Sequence, residues 1–327
     1  MGHQAQSLVL AHESLAETNQ INDSFLKIGG CLSDLISRFW LGDLTGARSS
    51  ESALHDVYRQ DQHSQIINLL GHDIPTIAGI YTAHRLWMMG YPDQAVLKCD
   101  EKDDIARGIG HPINLGLALT LGNWVFHYRR EPLELLKRAD EALAVVDESG
   151  LTFLAETHVQ IARMLALLDS GQLVAGIDFM KNYFRSPFRL LIGMPYFLVL
   201  WAEATAKLGR LKEGVDNIAQ AIEQIERPGW GERCHYAEIL RIKGWILQQQ
   251  GECQNAEFNL RASIDFARKQ QAKSWELRTS TTLAEILAER GERRQAIELL
   301  KPVYDWFTEG FDTYDLKQAK KLLDQIA

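Results

Sequence analysis

The sequence predicts an all-α solenoid of about seven stacked helix pairs closed by a C-terminal capping helix, on three observations. First, a break recurs along the chain, with a glycine ending one apolar-periodic segment and a small residue five positions later. It occurs at Gly42 and Ala47, Gly90 and Ala95, Gly171 and Gly176, Gly209 and Gly214, Gly251 and Ala256, and Gly291 and Ala296, with a degenerate copy at Arg130 and Leu135. Second, the steps between anchors are 48, 40, 41, 38, 42 and 40 residues. A fixed period of that size marks units too small to bury their own apolar faces, which stack to share a core. Third, apolar residues recur at helical spacing, and no Val/Ile/Thr run alternates with period two.

Taken in order, helical spacing runs over 3–18 and breaks at 19–23. Further helices are expected over about 24–41 and 45–58, and 60–70 reads as irregular or short helix, which accounts for the one step of 48. From residue 73 the pairs are regular. Their first helices span about 75–89, 112–128, 152–170, 189–208, 232–250 and 274–290, and their second helices about 93–107, 132–148, 173–184, 211–226, 252–269 and 292–307. Pro75, Pro112 and Pro132 stand at helix starts, where a missing N–H is tolerated. Gly110, Gly150 and Gly229 follow second helices, where a left-handed cap favours glycine. A final amphipathic helix over 314–326 is expected to cap the stack. The whole of 1–327 is thus one repeat domain, less regular over 1–70, regular over 71–310 and capped by 311–327.

Small residues cluster seven before and five after each anchor, where paired helices would cross closely. In this the pattern resembles the tetratricopeptide repeat, with a longer period, which implies a right-handed superhelix. Several stretches also resemble the C-terminal repeat region of bacterial signal-transduction ATPases. They are Gly90-Tyr91-Pro92-Asp93-Gln94-Ala95, the run from Tyr236 to Gly244, Ala267 to Ser274, and Trp306 to Thr313. That family joins such repeats to an NTPase and to a class III nucleotide cyclase or a DNA-binding activator domain. The resemblance implies a sensor or scaffold module. The chain starts where the second helix of a repeat would lie, so a severed C-terminal piece of a larger protein is one expectation. Gly71-His72-Asp73-Ile74-Pro75 departs from the family's tendency to place Pro directly after the Asp.

The composition, 46% hydrophobic and 24% charged, suits a globular core, and the net charge of −8 argues against a general phosphate-backbone binder. No apolar run reaches the ~20 residues needed to span a bilayer, so no membrane partner is expected. Cys31, Cys99, Cys234 and Cys253 have no metal-binding spacing and fall in expected helices, which reads as buried thiols in a reducing cytoplasm. No phosphate-binding loop, dinucleotide fingerprint, HExxH or GxSxG elbow occurs, and Cys234 and His235 are adjacent rather than spaced for a helical metal site. The expectation is a non-enzyme without cofactor or metal.

Inner-face residues follow from the anchors, six and three before each, and thirteen and ten before in two repeats. A candidate peptide- or ligand-binding groove then comprises Trp124, His127, Tyr196, Glu203, Glu238, Arg241 and Trp245. Aromatics offer rigid contact area and Arg a fork for carboxylates. The competing reading of the same residues is core for the tryptophans and a simple i, i+3 pair for Glu238 and Arg241. The expected partner is a protein or peptide segment, or a small signalling ligand. The alternative is an oligomerisation element pairing through the end helices.

Overall fold

The computed structural model describes residues 3–21, 23–187 and 189–327. Asn22, in the expected break at 19–23, lies outside the described residues. Among them helix follows helix and no strand occurs. The helices are α1 (Gln4–Ile21), α2 (Ser24–Leu41), α3 (Leu44–Val57), α4 (His63–Leu70), α5 (Ile74–Met88), α6 (Pro92–Ile109), α7 (Pro112–Leu119), α8 (Trp124–Tyr128), α9 (Pro132–Glu148) and α10 (Thr152–Leu154). A π-helical turn, Ala155–Val159, leads into α11 (Gln160–Asp169), then α12 (Leu173–Arg185), α13 (Met194–Lys207), α14 (Leu211–Glu226), α15 (Tyr236–Gln249), α16 (Cys253–Gln270), α17 (Lys273–Glu289), α18 (Arg293–Tyr304) and α19 (Tyr314–Ile326).

The expected pairs form. They are α2–α3, α5–α6, α7/α8–α9, α10/α11–α12, α13–α14, α15–α16 and α17–α18, with first helices also packed on one another, α5 on α7, α13 on α15 and α15 on α17. Residues placed at the crossings are sealed, with Ala47, Ala95, Leu135, Ala256 and Ala296 all at 0% exposure. The cap α19 buries Leu316, Ala319, Leu322 and Ile326 against α17 and α18. Its apolar face is thereby spent within the chain. The long step between the first anchors contains α4 as an extra helix. No helix of the described residues is long and apolar enough to cross a membrane.

Three expected helices are interrupted or start late. The helix over 112–128 is interrupted at Leu121–Asn123 by a 3-10 turn. A buried amine lies beneath it, as Lys102 Nζ donates to the Ala118 carbonyl at 2.9 Å, pairs with Asp103 at 2.6 Å and reaches Asn123 Oδ1 at 3.3 Å. A carbonyl given to this ammonium is lost to the helical ladder. The helix expected from 189 starts at Met194, after Gly193 turns the chain with φ 79°. The helix expected from 232 starts at Tyr236, because the Arg233 and Cys234 amides donate to the Trp40 carbonyl at 2.7 and 3.2 Å. Cys234 therefore sits in a connection rather than a helix, and Cys253 is exposed rather than buried.

That Trp40 contact belongs to a larger feature. The superhelix winds tightly enough for early elbows to meet late connections. Gln270 Nε2 donates to the Gly42 carbonyl at 3.1 Å, Ser274 Oγ to the Trp87 carbonyl at 2.5 Å, and Arg278 to the Tyr128 carbonyl at 2.8 Å. Glu309 accepts from the Asp93 and Gln94 amides at 2.9 and 3.0 Å. Here the elbow glycine is needed twice over. At Gly90 φ is 96°, and a Cβ would stand 2.8 Å from Lys273 Cβ and 2.5 Å from the Trp306 ring.

Replacing Lys102 with Met should remove the buried ammonium from Asp103 and leave that carboxylate only Arg138 and the Asn123 amide. The expected loss is about 3 kcal/mol, as for breaking a buried pair, read as a lower urea midpoint. An unchanged midpoint would mean the ammonium does not hold the interrupted helix.

Candidate functional site

Tight winding fills most of the inner face with rings. Trp87 lies 4.8 Å from Tyr128 and 4.7 Å from Trp275, His84 stacks on Trp124 at 5.9 Å, and Tyr196 stacks on His235 at 4.0 Å. Burial holds the imidazoles neutral, with His84 pushed down to about 3 and His235 well below the ordinary histidine value. His84 Nε2 is spent on the Leu121 carbonyl at 2.8 Å, and His235 Nε2 on the Tyr128 hydroxyl at 2.9 Å. Trp124, 1% exposed, belongs to this packed zone.

Beside the rings stands a buried ionic network. Arg278 on α17 donates to Asp315 Oδ2 at 2.6 Å, to Glu238 at 3.4 Å and to the Tyr128 carbonyl, and its plane faces Trp87 and Trp275 at 5.2 and 5.0 Å. Arg241 grips Glu238 with both fork arms, at 2.7 and 2.8 Å. Lys207 pairs with Glu203 at 3.0 Å. Burial alone would raise the Glu203 carboxyl, but the charges of Lys207, Arg241 and Arg130 hold it down at about 2. Asp169 accepts from His127 Nδ1 at 2.7 Å, and His127 Nε2 lies 2.8 Å from the Tyr196 hydroxyl. An aspartate on Nδ1 favours the tautomer whose Nε2 accepts, so the tyrosine donates. Burial pushes the Tyr196 hydroxyl well above its ordinary value, so it keeps its proton.

Between these groups lies a cavity of about 340 Å³, walled by residues of α8, α11, α12, α13, α15, α17 and α19 and by the Arg130 elbow. Its polar lining is His127, Arg130, Asp169, Tyr196, Glu203, Lys207, Glu238 and Arg278, and its apolar lining includes Leu168, Leu173, Leu200 and Ala204. Tyr314 of the cap completes the wall. Of the groove candidates, His127, Tyr196, Glu203 and Glu238 meet here. Arg241 stands behind Glu238. Trp124 lies in the ring zone, and half-buried Trp245 packs against the apolar cluster shared by α13, α14 and α15 and does not line the cavity.

Arg278, Arg130, Lys207 and Asp169 were not among the candidates. Arg278 stands thirteen residues before Gly291, the same register as Tyr196 before Gly209 and Glu238 before Gly251. Carrying that register through every repeat would have found it. Arg130 carried a different signal, being the one anchor that is not glycine. It nonetheless takes the left-handed conformation of the other elbows, φ 60°. A side chain costs about 1 kcal/mol there relative to glycine.

A second polar cluster lies outside the cavity. Glu232, Cys234 and His235 bring a carboxylate oxygen, a thiol sulfur and a ring nitrogen within 4.8 Å of one another. Each is already engaged, Glu232 with the Gly193 amide at 3.1 Å and His235 with Cys234 at 3.1 Å and with Tyr128. Burial raises Glu232 to about 8 and Cys234 further, so both stay protonated at neutral pH. The cluster is a neutral hydrogen-bonded part of the core.

No protein-family model and no curated protein matches the chain. Among solved structures the chain is similar to a crystal structure of Rap protein complexed with competence and sporulation factor. The identity is 10%, over 92% of this chain and 98% of that one, with a TM-score of 0.48.

The ionic network makes the fold acid-sensitive. An unfolded glutamate titrates near 4.5 and Glu203 sits at about 2. Its stabilising contribution is therefore complete above pH 4.5 and is lost as pH falls through about 2. Relative to Glu203→Gln, the wild type should lose about 3 kcal/mol over that window, measured by chemical denaturation at stepped pH. Parallel pH profiles for the two proteins would show that Glu203 is not held by the network.

Proposed function

We propose that this chain is a non-catalytic, tetratricopeptide-like sensor module that takes a signalling ligand, or the end of a protein segment, into the polar cavity of its inner face. The carrying observation is the cavity itself, where four of the inner-face candidates meet around about 340 Å³ of space. Charges already paired and held on rigid helices are preorganised for recognition, because little ordering is left to do on binding. The volume is at the small end of ligand sites, about 300–1,000 Å³. The ring zone occupies the neighbouring inner face, which favours a small ligand or a chain end over a segment laid along the whole groove.

Tyr314 belongs to the terminal helix α19, so occupancy would bear directly on the cap. In the architecture suggested by the resemblance, that is a route by which binding would regulate an attached ATPase, cyclase or transcription domain.

One observation favours a second reading, self-association at the N-terminal end. An apolar groove of about 650 Å³ lies among α1, α2 and α4, with Leu10, Leu26 and Leu69 exposed at 58%, 48% and 63%. Sedimentation that shows a monomer across a wide concentration range would remove it.

The cavity reading is tested by a thermal-shift screen of small polar metabolites and short peptides against wild type and Leu173→Trp. Leu173 is half-buried on the cavity rim, and an indole there fills the space. Ligands should raise the wild-type melting temperature, by about 2.7 kcal/mol of stability at a hundredfold excess over Kd, and leave the variant unmoved. A screen with no Leu173→Trp-sensitive ligand would count against the reading.

A further inference from the structure

We infer that the cavity takes a singly charged carboxylate on an apolar body, gripped by Arg130. This deepens the function proposed above and rests on it. The cations around the cavity are not equally committed. Lys207 is paired with Glu203, and Arg278 has bonds to Asp315, Glu238 and a backbone carbonyl. Arg130 Nε is buried without a hydrogen-bond partner. Its nearest acid is Asp315, whose Oδ1 stands 3.7 Å away and whose Oδ2 already accepts from Arg278. The guanidinium face rests on Tyr314, 5.1 Å from the ring centre, which fixes its plane and satisfies no N–H. A planar fork, oriented at the edge of a cavity with its Nε–H free of any hydrogen bond, matches a carboxylate in both charge and shape.

The backbone gives an independent indication. The other six elbows place glycine in the left-handed conformation, and only this one keeps a side chain at φ 60°. Strain of this kind persists where the side chain has a task. The surroundings narrow the ligand further. Asp169, Glu203 and Glu238 line the same cavity, and they would repel a phosphate dianion more than a carboxylate. Leu173 and Leu200 on the walls suit an apolar body.

Calorimetry with four probes tests this: 4-methylpentanoate, 4-methylpentanamide, and N-acetyl-alanyl-leucine as free acid and as amide. The acids should bind and each amide should bind at least about tenfold more weakly. Binding of both acids points to a small carboxylate, and binding of the peptide acid alone to a chain end. Arg130→Gly should abolish the preference for acid. Its melting temperature should stay within about 2 °C of wild type, as relief of left-handed strain offsets the lost Tyr314 contact. Arg130→Lys separates grip from folding, because it keeps the charge without the fork. It should lose the acid preference by about tenfold, and an unchanged preference there would show that Arg130 does not touch the carboxylate. Equal binding of acid and amide, or no binding of either acid at about 10 mM, overturns the inference. If ligands shut out by Leu173→Trp bind Arg130→Gly as well as wild type, the carboxylate assignment falls while the cavity reading stands. If no ligand is sensitive to Leu173→Trp, both fall.

Discussion

The arrangement depends on one buried cation. Arg278 is 7% exposed and cannot lose its proton, so every direction from its guanidinium must be answered by the protein. It is answered by Asp315 of α19, Glu238 of α15, the carbonyl that ends α8, and two indole faces. Four elements distant in sequence are thereby held to one point. A pair of this kind adds little net stability over an apolar replacement, because desolvation offsets the attraction. What it adds is uniqueness, since any other winding of the superhelix would leave the charge unanswered.

With the winding set, much of the rest follows. An open solenoid offers a long concave face. This one brings its early elbows against its late connections, and Trp87, Tyr128, Tyr196, His235 and Trp275 close over one another in between. Polar groups caught inside are kept neutral by burial, as His84 and His235 are, or are paired, as Glu238 is with Arg241 and Arg278. The cavity is the space left where the ionic groups, rather than the rings, face one another. Its composition is a consequence of closure, and its small volume is too.

Arg130 is where local and global preferences disagree. Helix-pair geometry calls for a residue at ease with positive φ, and glycine meets that need at the other elbows. An arginine there raises the free energy of the fold and leaves a donor unspent. Elements in which every level agrees, such as the Gly251–Ala256 elbow, are explained by folding alone. Arg130 violates that local rule at the edge of a cavity, and the proposed carboxylate grip rests on that disagreement.

The sequence by itself determined the fold class, the helix pairs, the cap and the crossing residues. These rest on short-range spacing, and Ala256 and Ala296 are sealed where the anchors place them. It also placed His127, Tyr196, Glu203 and Glu238 on the inner face, since register from an elbow decides which side of a helix turns inward. Tertiary structure decided the rest. The break at 121–123 depends on Lys102 arriving from a neighbouring helix, and the late start of α15 on the Trp40 carbonyl nearly two hundred residues earlier. Whether Trp124 faces a groove or a packed interior depends on how far the superhelix closes. No local pattern carries that, because closure is summed over every crossing in the stack and locked by contacts, such as Gln270 to Gly42, that join early and late parts of the chain.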